Sequence, residues 1–103
     1  MDRDLRRLTL VYPVAAEDRV VDFLLDLAPP VPGFTSWRAE GHGASFDGKS
    51  PREKVRGCIE RNMLVMVIER ARLADLLAEV RAGCAIPDLA YWVERVESFG
   101  RFK

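Results

Sequence analysis

The sequence predicts an α+β sandwich in which a four-stranded antiparallel sheet carries two helices on one face. Three observations predict it. Apolar residues alternate with a period of two from Leu8 to Tyr12 and in the first half of the stretch Val55 to Ile68, they recur at helical spacing in two other stretches, and the order along the chain is strand, helix, strand, strand, helix, strand.

The first strand is Leu8 to Tyr12, where Leu8, Leu10 and Tyr12 alternate with Thr9 and Val11 before Pro13 ends the run. A helix is expected from Ala15 to Ala28. Val20, Val21, Leu24, Leu27 and Ala28 share one face of it, and Asp18, Arg19, Asp22 and Asp26 take the other. Pro29, Pro30, Pro32 and Gly33 stop it and turn the chain. The second strand, Phe34 to Glu40, sets Thr35, Trp37 and Ala39 against Phe34, Ser36 and Arg38, and Gly41-His42-Gly43 is expected to break it. Gly41 to Glu53 is rich in Gly, Ser, Asp and Pro and reads as a loop, with Asp47-Gly48 as a turn.

The third strand is expected from Val55 to Ile68. Its second half, Met63 to Ile68, is apolar on both faces, as a central strand covered on both sides requires. Leu73, Leu76, Leu77 and Val80 mark the second helix, with Gly83 at its C′ position. Leu89 to Val96 is the fourth strand, and Ser98 to Lys103 is a short polar tail carrying Phe99 and Phe102. This βαββαβ order is that of the ferredoxin-like sandwich, in which strands one and three are central. Its second sheet face then carries Trp37 or Phe34 and one set from Met63 to Ile68. So large an apolar face predicts a homo-oligomer with sheets packed on sheets.

At 103 residues the chain is expected to be one domain, 1–103, with no linker or repeat. Lysine plus arginine number 16 and aspartate plus glutamate 16, a balance that argues against nucleic acid as a partner and against a polybasic membrane contact. Arg56-Gly57-Cys58-Ile59 opens like an RNA-recognition strand but lacks its stacking aromatics. Cys58 and Cys84 read as reduced thiols. Met1 to Arg7 is charged with no apolar stretch behind it, and the run Met63 to Ile68 is too short to cross a bilayer. The expected compartment is therefore the cytoplasm, without membrane insertion.

The segment richest in chemistry is Trp37 to Gly43, followed by the loop and then Arg52 to Gly57. Glycines on both sides of His42 can turn backbone N–H groups toward an anion or let a ligand approach closely. Arg52, Lys54 and Arg56 can supply phosphate contacts. The alternative is a long hairpin whose tip charges are merely solvated. His42, the one histidine, together with Cys58 raises a soft-metal site, although no C-x-x-C or H-x-x-x-H spacing is present. Met63 and Met66 read as core residues of a central strand. No nucleophile motif or acid–base pair stands out, so no enzyme is expected.

Arg6 to Val11, Pro32-Gly33-Phe34-Thr35, Arg38 to Gly43, Glu53 to Gly57 and Ala90 to Glu94 together form a familiar pattern over nearly the full length. On these segments the chain resembles the PII-like signalling superfamily, most closely a small branch often encoded beside heavy-metal efflux pumps. The resemblance implies a homotrimer and makes residues 41–53 the T-loop, a mobile segment that docks on partners. It implies an effector bound in clefts between subunits, either an adenine nucleotide or a divalent metal ion, with Gly41 and Gly43 at the loop base. Arg101 and Lys103 in the tail would approach a neighbouring subunit's ligand. Two departures stand out. Gly83 to Asp88 carries one glycine where nucleotide-binding relatives have a glycine-rich turn, and no glutamine follows Gly43.

The function implied is a non-enzymatic sensor whose T-loop contacts a partner, such as a metal-efflux transporter in the membrane. The alternative is a trimeric divalent-metal-binding or tolerance protein similar to the CutA family, using His42 and Cys58. An acylphosphatase, of similar fold, would need a phosphate loop, and Tyr12-Pro13-Val14-Ala15 has neither glycine nor arginine.

Overall fold

The computed structural model describes residues 3–42 and 58–102, and of Cys58 the backbone alone. The elements are β1 (Leu5–Pro13), a single 3-10 turn (Val14–Ala16), α1 (Glu17–Leu25), β2 (Phe34–His42), β3 (Cys58–Glu69), α2 (Arg70–Gly83) and β4 (Ala90–Val96). The strands form one antiparallel sheet in the order β2-β3-β1-β4. This is the ferredoxin-like sandwich the sequence predicts, with β1 and β3 central.

Alternation decides which side chains meet the helices. Leu8, Leu10 and Tyr12 of β1 pair with Met66, Leu64 and Asn62 of β3. On that face they bury against Val20 and Leu24 of α1 and Leu76 and Val80 of α2. Phe34 joins them from β2, opposite Met66. The other face therefore takes Trp37, not Phe34. There Trp37 stands opposite Met63, Val65 lies between Thr35 and Thr9, and Thr9 faces Trp92. Thr9 is only 3% exposed, whereas Trp37 and Trp92 at the two flanks are 45% and 44% exposed. An apolar row, Trp37, Met63, Val11 and Ala90, thus crosses the uncovered face from one edge strand to the other, beside Thr35 and Thr9 and the polar Arg7 and Glu94.

Several boundaries differ from the sequence reading, among them the start of α1, at Glu17 and not Ala15, because Val14–Ala16 form the 3-10 turn. β1 begins at Leu5, because Arg6 and Arg7 continue the ladder with Ile68 and Val67. α1 ends at Leu25, not Ala28. A helix running on through Pro29 would set the proline ring against the Leu25 carbonyl and leave it without an N–H donor. Gly41 and His42 do not break β2, since they pair with Ile59 and Cys58 as its last two residues. The T-loop expected at 41–53 thus loses its first two positions to the sheet, and 43–53 lie outside the described residues, as does the start of the third strand at Val55.

The role of Gly83 differs as well. It is the last helical residue of α2, not a C′ glycine, and Cys84 still has right-handed helical angles. Positive φ falls instead at Ala85 (34°) and Asp88 (63°). Gly83 is needed for closeness: a Cβ there would stand 2.8 Å from Cε1 of Phe23, so the absent side chain lets α2 approach α1.

Candidate functional site

Two regions at opposite ends of the sheet carry candidate binding groups. The first is the base of the predicted loop. Gly41 and His42 end β2, and His42 stands opposite Cys58 in the ladder. Beside them Arg61 of β3, opposite Ala39 and Pro13, packs its side chain against Gly41. A Cβ on Gly41 would lie 3.2 Å from the Arg61 Cγ. The Nη1 of Arg61 is buried without a hydrogen-bond partner among the described residues. A buried guanidinium nitrogen left unpaired is costly unless an acceptor reaches it. Of the residues singled out from sequence, Gly43, Arg52, Lys54 and Arg56 lie outside the described residues.

His42 and Cys58, the metal candidates, are cross-strand neighbours, so the ladder brings their positions together. Among the described residues no group of three or more His, Cys, Asp or Glu is placed to hold a metal ion. A zinc-type site uses three or four protein ligands, and the ladder places His42 and the backbone of Cys58 side by side.

The second region is a groove of about 570 Å³ at the far end of the sheet. Leu5, Val67 and Phe99 give it an apolar floor, and Arg3, Arg72 and Arg101 place three guanidinium groups on its walls, with Glu69 the one acid. The proline segment after α1 closes one side. Arg72 is held there by two contacts. Its Nη1 donates to Glu79 Oε1 at 2.7 Å and its Nη2 to the Pro29 carbonyl at 3.2 Å, while its Nε is buried without a partner among the described residues. These contacts fix the Arg72 guanidinium at the groove wall and pair its charge with Glu79.

Arg101 therefore does not join Gly41 and His42 within one chain. It sits by Val67, while Gly41 faces Ile59. The two positions are separated by about 25 Å along β3 at the usual strand rise. Sequence reasoning missed Arg61 and Arg72. Each lies in an element where a charged side chain reads as solvated, and its burial depends on tertiary neighbours.

A third polar cluster is structural. Glu17, the first residue of α1, accepts from the Tyr12 hydroxyl at Oε1 and from the Ser36 hydroxyl at Oε2 at 2.8 Å, with Asn62 a further donor. Burial pushes the Glu17 carboxyl up, but the three hydrogen bonds outweigh it and hold it below the usual carboxylate range. Burial, then the Glu17 contact, raises the Tyr12 phenol. The cluster ties the start of α1 to β1, β2 and β3. On the open face Arg7 grips Glu94 through Nε at 3.0 Å and Nη2 at 2.7 Å, and Trp92 Nε1 donates to the same oxygen at 3.3 Å. No helix among the described residues is long and apolar enough to cross a membrane.

The fold is shared with several solved structures. A DUF3240 family protein from Shewanella baltica OS155 is 20% identical, with 100% of each chain covered and a TM-score of 0.78. CPII from Thiomonas intermedia K12, a nitrogen regulatory PII-like protein bound to ADP, AMP and bicarbonate, is 16% identical over 95% of this chain and 96% of its own, with a TM-score of 0.67. A Bacillus cereus protein related to NIF3 has the same TM-score of 0.67 at 14% identity, covering 96% of this chain but 27% of that one. At these identities the likeness is one of fold, and the fold is PII-like. No curated protein matches the chain. The family described as "Protein of unknown function (DUF3240)" matches residues 3–103, all but the first two positions, and so the chain belongs to the DUF3240 family.

Proposed function

We propose that this chain is a non-enzymatic PII-like regulator. It binds a small anionic effector in the clefts of a homotrimer and contacts a partner, a metal-efflux transporter, through its T-loop at 41–53. The observation that carries the proposal is the pair of unpaired guanidinium nitrogens, on Arg61 and on Arg72, at opposite ends of one sheet. A ligand touching both the loop base and the arginine groove of a single chain would have to span about 25 Å. A small effector uses both only where two copies meet, and the apolar face between Trp37 and Trp92 supplies the surface for that meeting. The ligands of CPII, which are ADP, AMP and bicarbonate, are all anions and are the first probes to use.

Calorimetry with ADP, AMP and bicarbonate on the purified chain tests the proposal. At least one should bind, and Arg101→Gln should weaken it by roughly tenfold, the usual worth of one charged hydrogen bond. No heat from any of the three, or an affinity indifferent to Arg101, would count against the effector role.

The ladder position of His42 opposite Cys58 favours a second reading, a metal-binding trimer of the CutA kind in which donors from several chains complete the site. His42→Ala with Cys58→Ser should then abolish zinc or copper uptake. Unchanged metal affinity in the double variant removes this reading.

A further inference from the structure

We propose that the groove between α2 and the turn leading into β4 is a second ligand site, which takes a small amphiphilic carboxylate: an apolar chain or ring with one anionic end. The groove encloses about 670 Å³, within the span of about 300–1,000 Å³ typical of small-molecule sites. It lies on the helix side of the sheet and shares no lining residue with the loop base or the arginine groove, although its turn is part of Gly83 to Asp88, the segment that stands where nucleotide-binding relatives have a glycine-rich turn.

Its chemistry is one-sided. Leu10, Leu77, Ile86, Leu89 and Tyr91 form apolar walls, and Arg81, in the last turn of α2, is the one charged residue among the lining residues. Tyr91 lines the hollow and is 56% exposed, so part of its ring is free to be covered. An apolar body would cover the ring and the leucines, and a carboxylate would meet the Arg81 guanidinium in the two-pronged geometry that suits it. A cationic ligand would oppose Arg81, and a fully apolar one would leave it unused.

The wall opposite α2 is a formed turn. The Leu89 N–H donates to the Ile86 carbonyl at 3.3 Å. Ala85, which lines the groove, is held at φ 34°, where a side chain is disfavoured. Backbone held in such a conformation recurs at ligand clamps.

Octanoate titrated into the full-length ¹⁵N-labelled chain tests the assignment, with octanol as the uncharged control. Saturable amide shifts should centre on Ala78, Arg81, Ala85 and Leu89. Arg81→Gln should lower the octanoate affinity roughly tenfold and leave that of octanol unchanged. Ala78→Phe, at an exposed helix position whose side chain lines the groove, should block both. Shifts centred instead on the open face around Trp37 and Trp92 would overturn the proposal, as would an octanoate affinity unaltered in both variants. It also fails if the groove amides shift with protein concentration alone, since the occupant is then a second copy of the chain.

Discussion

Gly83 shows how a single position can be legible in identity and illegible in role. A glycine near the end of an amphipathic helix reads as a left-handed cap, yet here it is helical, and Phe23 fills the space its side chain would take. That reason is tertiary and leaves no local trace in the sequence. Gly83→Ala gains about 1 kcal/mol of helix propensity and loses about 1–3 kcal/mol to overpacking against the ring, so a net loss of about 1 kcal/mol is expected. The melting temperature should fall by roughly 4–8 °C for a domain of this size. With Phe23→Leu already in place, the same substitution should become neutral or stabilising. Thermal melts of the four proteins in this cycle check it, and a stabilising Gly83→Ala in the native background contradicts it. Arg61 and Arg72 teach the same lesson. A lone arginine in a strand or helix reads as solvated, and its burial appears only when Gly41, Pro29 and Glu79 are brought beside it.

Periodicity made the central strand β1 and both α-helices legible, because burial on one side imposes it on the sequence. Leu8, Leu10 and Tyr12 alternate and are buried, and Val20, Leu24, Leu76 and Val80 keep helical spacing and are buried. The ends were less legible. Pairing of Arg6, Arg7, Gly41 and His42 with β3 depends on a partner strand, which their own side chains do not announce. The anchor of α1 was also hidden. Glu17 has no cap signature, and its three donors come from three different strands. Because the folded Glu17 carboxyl is held below its unfolded value of about 4.3, its contribution is present above that pH and is lost as pH falls through the folded value. Denaturant melts from pH 6 downward should therefore show a steeper acid loss in the native chain than in Glu17→Gln. Tyr12→Phe removes one donor, which should cost about 1–2 kcal/mol at neutral pH and move the acid limb upward. Identical acid limbs in all three proteins would show that Glu17 does not anchor the helix.

At the scale of the whole molecule the fold was readable from element order, since β-α-β-β-α-β leaves few alternatives. A two-ended distribution of binding groups was not, because it depends on which strand end each element reaches. The open sheet face is the link between those ends. Met63 and Val65 at its centre and tryptophans at its flanks make it the surface where copies should meet. Trp37→Glu with Val65→Glu places two charges there, and sedimentation should show a trimer of 11.7 kDa chains falling to monomers while the fold persists. A native chain that already sediments as a monomer contradicts the shared-cleft account. The most direct measurement is an ADP titration of chains co-expressed as Arg61→Gln and Arg101→Gln. Each variant alone should bind poorly. Mixed trimers should recover strong sites in about one cleft in four, because those clefts join an intact loop base from one chain to an intact groove from another. No recovery of strong sites in the mixture would contradict a site built from two copies.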